Sequence, residues 1–476
     1  MSKPFYITTT LPYVNADPHV GFAMELVRAD IIARSKELQG FEVFFNTGTD
    51  EHGQKLFDSA AKAGKDVKQY VDEYAEAFKK LPEALGVSKN IHFIRTTDSH
   101  HEKAAQEFWK RCDSAGYIYK KNYSIKYCVG CELEKTDSDL VDGKCPLHPS
   151  LTVELIDEEN YFFKFSSFGD RLLKFYENQP DFVVPDFRYN EIKSFVNMGL
   201  QDFSISRLKE KMSWGVPVPG DDLHVMYVWF DALANYISTL GWPEDESNFN
   251  KFWKDGTPVQ YCGKDNLRQQ SAMWQAMLMA AGLPSSHNIV VNGFLTGDGG
   301  IKMSKSLGNT INTYDVVSEY GADAFRYFIS REVSSFEDSP FTMERFKSCY
   351  NAGLANGLGN LVSRIMKLAE DNLDQPISDA NFSYTFTGGY IIEKLDEFRV
   401  DLAVSYIWEK IGELDKEIQE KKPWESKDKE VLQNLVKKIG QIGHMLAPIL
   451  PETSKNIIDL VRKNKKPEKP LFLRKD

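Results

Sequence analysis

The stretch KPFYITTTLPYVNADPHVGFAMELVRADIIARSKELQGFEVFFNTGTDEHG (residues 3–53) decides the fold class of this chain. It begins with an apolar, β-branched run at residues 3–10, which predicts a strand. Apolar residues then recur at helical spacing until Gly40, where a helix is predicted to end. A second β-rich run follows at residues 41–49. Strand, loop, helix and strand in this order are typical of a parallel α/β fold, in which ligands bind at the carboxyl ends of the strands.

The whole chain divides into four predicted regions. Alternating strand and helix patterns at residues 1–115 predict the first half of a Rossmann-like α/β domain, and short strands with turn residues at 116–222 predict an insertion. The alternation resumes over 223–344, where the run HVMYVWF (residues 224–230) is predicted as a strand. Long amphipathic runs over 345–476 predict an all-α helical bundle.

Composition restricts the class of protein. Of the 476 residues, 42% are hydrophobic and 27% are charged, which is typical of an ordinary globular protein with a large core. The formal net charge of −11 means that any contact with nucleic acid would depend on local basic patches. The N-terminus lacks a signal peptide, and no run of 18 apolar residues occurs. We therefore expect a cytoplasmic protein without a membrane partner.

Four potential metal ligands cluster in the predicted insertion. Cys128 and Cys131 form a Cys-x2-Cys pair, and after thirteen intervening residues Cys145 and His148 form a Cys-x2-His pair. Two such pairs supply four ligands for a closed tetrahedral zinc site. Four unrelated residues in a loop are the alternative. Because a full protein shell leaves no open position for water, the zinc is predicted to be structural.

Two further segments are suited to binding phosphate. The loop GDGGIKMSKSLGN (residues 297–309) carries Lys302 and Lys305, three positions apart and flanked by small residues, so it can place positive charge on a polyphosphate. It lacks the spacing of a Walker P-loop. Far upstream, His19 and Gly21 lie where the first predicted helix begins, and a helix N-terminus attracts anions.

These motifs resemble those of the class I aminoacyl-tRNA synthetases. PHVG (residues 18–21) is similar to their HIGH signature, and KMSKS (residues 302–306) matches their second signature. Within that class the chain resembles the methionyl-tRNA synthetase family, through an ordered set of segments that spans nearly the whole sequence. The other segments are LPYVNADPHVG (11–21), TGTDEHG (47–53), the Cys/His insertion, YVWFDALANY (227–236), YCGKD (261–265), GADAFRY (321–327), NLVSR (360–364) and KPW (422–424).

The resemblance implies an ATP-dependent methionine–tRNA ligase. Its fold would be a Rossmann-like parallel sheet with a zinc-knuckle insertion, followed by a helical bundle that binds the anticodon. ATP, accompanied by Mg²⁺, would activate methionine as methionyl-adenylate, and methionine would then pass to the terminal ribose of tRNA(Met). We expect no DNA partner. A monomer is expected because the chain stops soon after the bundle.

The same resemblance implies a role for individual residues. The catalytic residues would be His19, Lys302 and Lys305. ATP would bind at His19, Gly21, Glu25, Gly263, Asp265, Lys302 and Lys305. Methionine would bind at Leu11, Tyr13, Asp50, Trp229, Ala232, Leu233, Tyr236 and Gln270. The anticodon would be read by Asn360, Arg364 and Trp424.

Two positions depart from the family pattern. Phe22 replaces the last His of HIGH, and Gln270 stands where many family members carry a His. Two alternatives stay open: a class I synthetase for another apolar amino acid, which the compact insertion disfavours, and a non-catalytic tRNA-binding paralogue, which only Phe22 supports. His52 is expected to be a structural, hydrogen-bonding histidine. The basic tail RKNKKPEKPLFLRKD (residues 462–476) is predicted to be a solvated end, with tRNA contact as the alternative.

Overall fold

The computed structural model describes residues 2–131, 133–135, 139–300, 303, 311–378, 382–386 and 388–476. The strands within these residues are β1 (Pro4–Thr8), β2 (Glu42–Thr49), β3 (Ile91–Arg95), β4 (Ile118–Cys128), β5 (Leu133–Lys135), β6 (Glu154–Phe163), β7 (Val183–Val184), β8 (Phe203–Ser204), β9 (Ser206–Leu208), β10 (Pro217–Val218), β11 (Asp221–Met226), β12 (Thr257–Gly263), β13 (Asn288–Asn292), β14 (Leu295–Thr296) and β15 (Ser339–Pro340).

Helices surround the strands and make up most of the last third of the chain. The α-helices are α1 (Val20–Leu38), α2 (Gln54–Lys62), α3 (Val67–Ala84), α4 (Ser99–Ser114), α5 (Gly169–Asn178), α6 (Asp186–Asn197), α7 (Val228–Ala232), α8 (Asn235–Ser238), α9 (Trp274–Ala280), α10 (Thr313–Tyr320), α11 (Ala322–Arg331), α12 (Met343–Cys349), α13 (Asn360–Asn372), α14 (Tyr390–Asp396), α15 (Val400–Lys421), α16 (Pro423–Ser426), α17 (Lys429–Met445) and α18 (Pro451–Lys463). The π-helical segments are Phe249–Lys254, Gln269–Met273 and Tyr350–Gly359.

Six parallel strands form the central sheet, in the order β3-β2-β1-β12-β13-β7. The first half of the chain extends the sheet from β1 towards β3, and the later strands extend it from β12 in the opposite direction. The order therefore reverses between β1 and β12, which pair directly. In doubly wound sheets the ligand crevice lies at this reversal, beyond the carboxyl ends of the strands. The predicted Rossmann-like core is confirmed, and its topology fixes where a site belongs.

The predicted insertion folds into antiparallel sheets but also reaches the central sheet. Its strands form a four-stranded sheet of order β5-β4-β6-β8 and a three-stranded sheet of order β10-β11-β9. In addition, β7 pairs in parallel with β13 and becomes the edge strand of the core.

One strand prediction was wrong in its extent and its role. Residues 224–230 were expected to resume the parallel alternation, yet β11 ends at Met226 and α7 begins at Val228. The apolar run is strand-forming, but it pairs antiparallel with β9 and β10, with His224 opposite Leu208 of β9. Local pattern predicts a strand, whereas the direction of pairing is set by which strand lies beside it.

The helix α11 joins the central domain to the helical bundle through buried polar contacts. The Arg326 guanidinium is fully buried; it pairs with Asp30 on α1 at 2.7 Å and donates to the carbonyl oxygens of Ile449 and Pro448 in the bundle. Asp323 accepts a hydrogen bond of 2.6 Å from the backbone N–H of Thr453 at the start of α18. The two regions therefore share a hydrogen-bonded helix as well as an apolar core.

The basic C-terminal tail is largely exposed, as predicted, but its last residues are docked on the bundle. The Tyr350 hydroxyl donates to the Leu473 carbonyl at 2.8 Å, and the Asn351 side chain exchanges two hydrogen bonds with the Lys475 backbone. The Phe472 ring lies 6.1 Å from the Tyr350 ring. The Phe472 ring and the backbone of residues 473 and 475 therefore attach the tail to the bundle, although the lysines and prolines of the tail gave no indication of this.

None of the helices in the described residues is long and apolar enough to cross a membrane.

Candidate active site

The segments that follow β1 and β2 meet at the crevice. Tyr13 and Asp50 form an isolated parallel β-bridge, and the Asp50 N–H donates to the Pro12 carbonyl at 3.0 Å. The Asp50 side chain is buried and Tyr13 is half-buried. Two predicted methionine-binding residues, distant in sequence, are thereby adjacent.

A buried carboxylate next to Asp50 fixes the turn. Glu51 receives hydrogen bonds from Arg95 (2.7 and 2.8 Å), Thr49 (2.7 Å) and Thr97 (2.5 Å). Its backbone carbonyl accepts the Trp214 indole N–H at 2.5 Å, which ties the insertion to this turn. The position of Arg95 at the carboxyl end of β3 could have been used to predict its role; nothing in the sequence pointed to Trp214.

His19 directly precedes α1 and caps its N-terminus. Its Nδ1 accepts the backbone N–H of Gly21 at 3.1 Å and that of Phe22 at 3.4 Å. A Cβ at position 21 would lie 3.0 Å from the imidazole, so glycine leaves room for this cap. The His19 side chain is exposed, and its backbone bridges to Asn312 from the second half of the α/β domain. His19 therefore lies between the two halves, as a shared phosphate site requires.

Phe22 is a core residue. It is 6% exposed, and its ring packs edge-on against Phe78 of α3 with centroids 5.6 Å apart. The imidazole that the family signature carries at this position is replaced here by aromatic packing between α1 and α3.

Glu25 lies one helical turn further along α1 and is buried in the crevice. Its Oε1 accepts the Thr10 N–H at 2.6 Å and the Thr10 hydroxyl at 2.7 Å. Burial raises the pKa of Glu25 to about 7 and outweighs these hydrogen bonds; the nearby charge of Asp265 adds to the rise. Gly263 ends β12, and a Cβ there would lie 2.6 Å from an Asp265 carboxylate oxygen. The structure thus brings together Glu25, Gly263 and Asp265, and it adds Thr10, which the sequence analysis missed.

A series of buried side-chain hydrogen bonds supports one wall of the crevice. The Gln270 side chain donates to the Tyr236 hydroxyl at 2.5 Å and accepts from the Gln260 amide at 2.8 Å. Burial raises the pKa of the Tyr236 hydroxyl, which stays protonated. Trp229, on α7, is half-buried. Among the other predicted wall residues, Leu233 is buried, whereas Leu11 and Ala232 are half-buried.

Lys302 and Lys305 lie outside the described residues. The flanking residues are described: Met303 packs against the main core, and Asn312 caps α10 by accepting the Tyr314 N–H at 2.8 Å. Through its bridge to His19, Asn312 lies beside the start of α1.

The four predicted metal ligands converge. Their donor atoms all lie within 4.8 Å of one another; Cys131 Sγ is 3.2 Å from His148 Nδ1 and 3.4 Å from Cys145 Sγ. A Cβ at Gly130 would lie 2.5 Å from the His148 ring, so this turn needs glycine for the ligands to meet. The cluster can hold a metal ion.

The three predicted anticodon residues lie on the helical bundle, away from the crevice. Asn360 and Arg364 share one face of α13, and Arg364 pairs with Asp415 of α15 at 2.9 Å. Trp424 lies in α16, and 41% of its surface is exposed, which is unusual for so large an aromatic residue.

Comparisons with known proteins agree with this architecture. The family model described as "tRNA synthetases class I (M)" matches residues 5–152 and 150–366. The chain is 40% identical to the methionine–tRNA ligase of Thermotoga maritima over 486 aligned residues, which cover 98% of this chain and 76% of that relative.

Two solved structures of the methionyl-tRNA synthetase of Mycobacterium tuberculosis are similar throughout. The complex with methionyl-adenylate gives a TM-score of 0.88 at 37% identity, covering 96% of this chain and 93% of that one. The apo form gives 0.83 at 32% identity, covering 100% and 99%.

Proposed function

This chain belongs to the methionyl-tRNA synthetase family of class I aminoacyl-tRNA synthetases, and we propose that it activates methionine with ATP and transfers it to tRNA. In the first step the methionine carboxylate attacks the α-phosphorus of ATP, and pyrophosphate leaves. In the second, the terminal ribose hydroxyl of tRNA attacks the methionyl carbonyl, and AMP leaves. The observation that carries the proposal is the convergence of the segments after β1, β2 and β12 at the reversal of strand order.

The first step requires positioning more than acid–base catalysis. A carboxylate is already a nucleophile, so the site must align it with phosphorus and stabilise the charge that develops on the phosphate oxygens. We assign that stabilisation to His19, to the amides at the start of α1, and to Lys302 and Lys305. The position of His19 at a helix N-terminus supports its assignment to phosphate stabilisation, because N–H groups and the helix dipole favour anions there. The lysines are assigned from the sequence signature.

The adenosine of ATP is assigned to the floor of the crevice. Gly21 and Gly263 are assigned to ATP from the family pattern, and each leaves the space beside it to a side chain of the site, His19 and Asp265 respectively. Asp265 offers an acceptor for ribose hydroxyls or adenine amines. Glu25 lies beneath them, and with a pKa of about 7 it can either donate or accept a hydrogen bond near neutral pH. ATP is expected to carry Mg²⁺ on its phosphates.

Methionine is assigned to the space between the Asp50 turn and α7. The Asp50 carboxylate would pair with the substrate ammonium group, and the rings of Tyr13, Trp229 and Tyr236 would surround the flexible thioether. The burial of Asp50 supports this role, because a buried carboxylate binds a cation more strongly than an exposed one. The rest of the wall is assigned to Leu11, Ala232, Leu233 and Gln270.

The Cys/His cluster is proposed to hold one structural zinc ion. Tetrahedral zinc with Zn–S distances of about 2.3 Å places its ligand atoms roughly 3.5–3.8 Å apart. Cys131 to Cys145 and each of the three cysteines to His148 are separated by 3.2 to 4.0 Å, and all four ligand atoms lie within 4.8 Å of one another, which is compatible with that geometry. With four protein ligands, the ion would stabilise the insertion and leave no position for a reacting water.

tRNA(Met) is the proposed macromolecular substrate, read at the bundle. The exposed ring of Trp424 can stack on an unpaired base, while Asn360 and Arg364 can bond base edges. The Arg364–Asp415 pair is partly exposed, and surface pairs contribute little to stability. Arg364 can therefore exchange Asp415 for a base at small cost.

The remaining assignments follow from this activity. We infer a monomer that works in the cytoplasm, where tRNA is charged for protein synthesis. We propose four functional regions: a first catalytic half (1–115), an insertion (116–222), a second catalytic half with the lysine loop (223–344) and an anticodon-binding bundle (345–476).

Amino-acid-dependent exchange between ATP and pyrophosphate tests the proposal. Methionine alone, among the twenty amino acids, is expected to stimulate exchange by the purified protein. Stimulation by leucine or isoleucine in its place would reassign the substrate, and no stimulation by any amino acid would contradict an activating enzyme.

Two variants separate the steps. Lys305→Ala is expected to reduce exchange at least about a hundredfold, because one oxyanion-stabilising contact contributes roughly 3 kcal/mol. Trp424→Ala is expected to leave exchange unchanged and to raise the KM for tRNA in charging. If Trp424→Ala reduced both activities equally, its assignment to the anticodon would be wrong.

A further inference from the structure

A buried contact links the two sides of the proposed methionine pocket. His52 Nδ1 lies 3.1 Å from Asp231 Oδ2, and the two side chains are 3% and 0% exposed. His52 follows Asp50 by two residues, and Asp231 follows Trp229 by two. The contact therefore joins the turn that carries the proposed ammonium ligand to the helix that carries an aromatic wall.

The surroundings restrict both side chains. The His52 ring packs edge-on against Trp214 at 5.6 Å, and Trp214 is itself bonded to the Glu51 carbonyl. Burial lowers the pKa of His52, but the Asp231 carboxylate outweighs it, so the net shift is upward. With its proton on Nδ1, His52 donates to Asp231 in either charge state.

The contact is costly if its only role is packing. One oxygen of the pair, Asp231 Oδ1, is buried and lacks a hydrogen-bond partner among the described residues. Burying an acceptor without a partner is unfavourable. Replacing a buried ionic pair by apolar residues of similar volume is often neutral or stabilising. A pair kept at this cost, directly behind two pocket residues, points to a requirement for geometry.

We propose that His52 and Asp231 are positioning residues that set the separation between Asp50 and Trp229, and so determine how well the pocket fits methionine. The inference rests on the proposed methionine site and deepens it. Neither side chain touches substrate in this proposal; each acts through the residue two positions before it. The prediction made from the sequence, a structural histidine at position 52, is thereby given a specific purpose.

The test compares three substitutions in purified full-length protein. His52→Leu removes the hydrogen bond. His52→Asn keeps a donor near the position of Nδ1 and serves as the conservative rescue. The matched control is His224→Leu, because His224 makes a similar buried contact of 3.0 Å with Asp221 but lies in β11, outside the proposed pocket.

Steady-state exchange kinetics give the decisive readout. His52→Leu is expected to raise the KM for methionine at least tenfold while the KM for ATP changes less than twofold. His52→Asn is expected to recover most of the methionine affinity. His224→Leu is expected to lower thermal stability without changing either KM. Methionine titration followed by tryptophan fluorescence should show the same order of affinities without ATP.

Other outcomes overturn the proposal. It is wrong if the methionine KM of His52→Leu is unchanged, if both KM values rise together, or if His52→Asn is no better than His52→Leu. Should His52→Leu not fold, His52→Phe keeps a ring against Trp214 and removes the hydrogen bond to Asp231, and an unchanged methionine KM in that variant is equally decisive. Failure of the wild type to respond to methionine would contradict the proposed function itself, which is a separate result.

Discussion

Replacing Phe22 by His restores the residue that the HIGH signature carries, and the structure predicts that the change is harmful. Phe22 is buried against Phe78, so an imidazole in the same rotamer would lie between α1 and α3. Losing the edge-on aromatic pair costs about 0.5–1.5 kcal/mol. Burying an unpaired imidazole nitrogen costs about 1–3 kcal/mol more. The expected loss of stability for Phe22→His is therefore about 1.5–4.5 kcal/mol.

Catalysis should not improve, because the new imidazole would point into the core while His19 stays in the crevice. We expect the kcat of methionine-dependent exchange to stay within about twofold of wild type, and the first urea-unfolding transition to move to lower urea. Phe22→Leu, which stays apolar, is the control and should cost less than about 1.5 kcal/mol. A tenfold rise in kcat for Phe22→His, or unchanged stability, would refute the assignment of Phe22 to the core.

Three further predictions concern Glu25, the metal cluster and Gln270. Because burial raises the pKa of Glu25 to about 7, protonation stabilises the fold fully below about pH 4.5, and this stability is lost as the pH rises through 7. Glu25→Gln should therefore flatten the change in melting temperature between about pH 5 and about pH 8; a profile like that of wild type would contradict it. Cys131→Ser should abolish the single bound metal ion, measured by elemental analysis, and leave the methionine KM unchanged; retained metal would argue against the four-ligand site. Gln270→Leu would deprive the Tyr236 hydroxyl and the Gln260 amide of partners, at about 1–3 kcal/mol each, so both the melting temperature and methionine affinity should fall. Unchanged values would show that these hydrogen bonds are dispensable.

The sequence was enough to predict the sheet and the region of the site, because both follow from local pattern. The alternation around residues 3–53 predicted β1, α1 and β2 within one or two residues at most ends. The spacing of the Cys/His pairs likewise predicted a cluster that the structure brings together. In these cases neighbouring residues carry the information.

Features that depend on distant partners could not be predicted. No local pattern indicates that Trp214 donates to Glu51 or that β11 pairs with β9, because each depends on which segment lies opposite in space. The docked tail is a similar case, because nothing in a lysine- and proline-rich end indicates that its last residues bind Tyr350 and Asn351.

The contacts of α11 mean that the catalytic core is not a detachable unit. A chain cut after residue 344 would keep the buried guanidinium of Arg326 and the carboxylate of Asp323 but lose the carbonyl and N–H groups that satisfy them. In the shortened protein these charged groups would be exposed on the face of α11 that the bundle normally buries, next to apolar residues that the bundle also covers. Anyone seeking a minimal enzyme from this chain would have to redesign that surface first. The bundle is thus part of the folding unit of the core, in addition to its proposed role in binding tRNA.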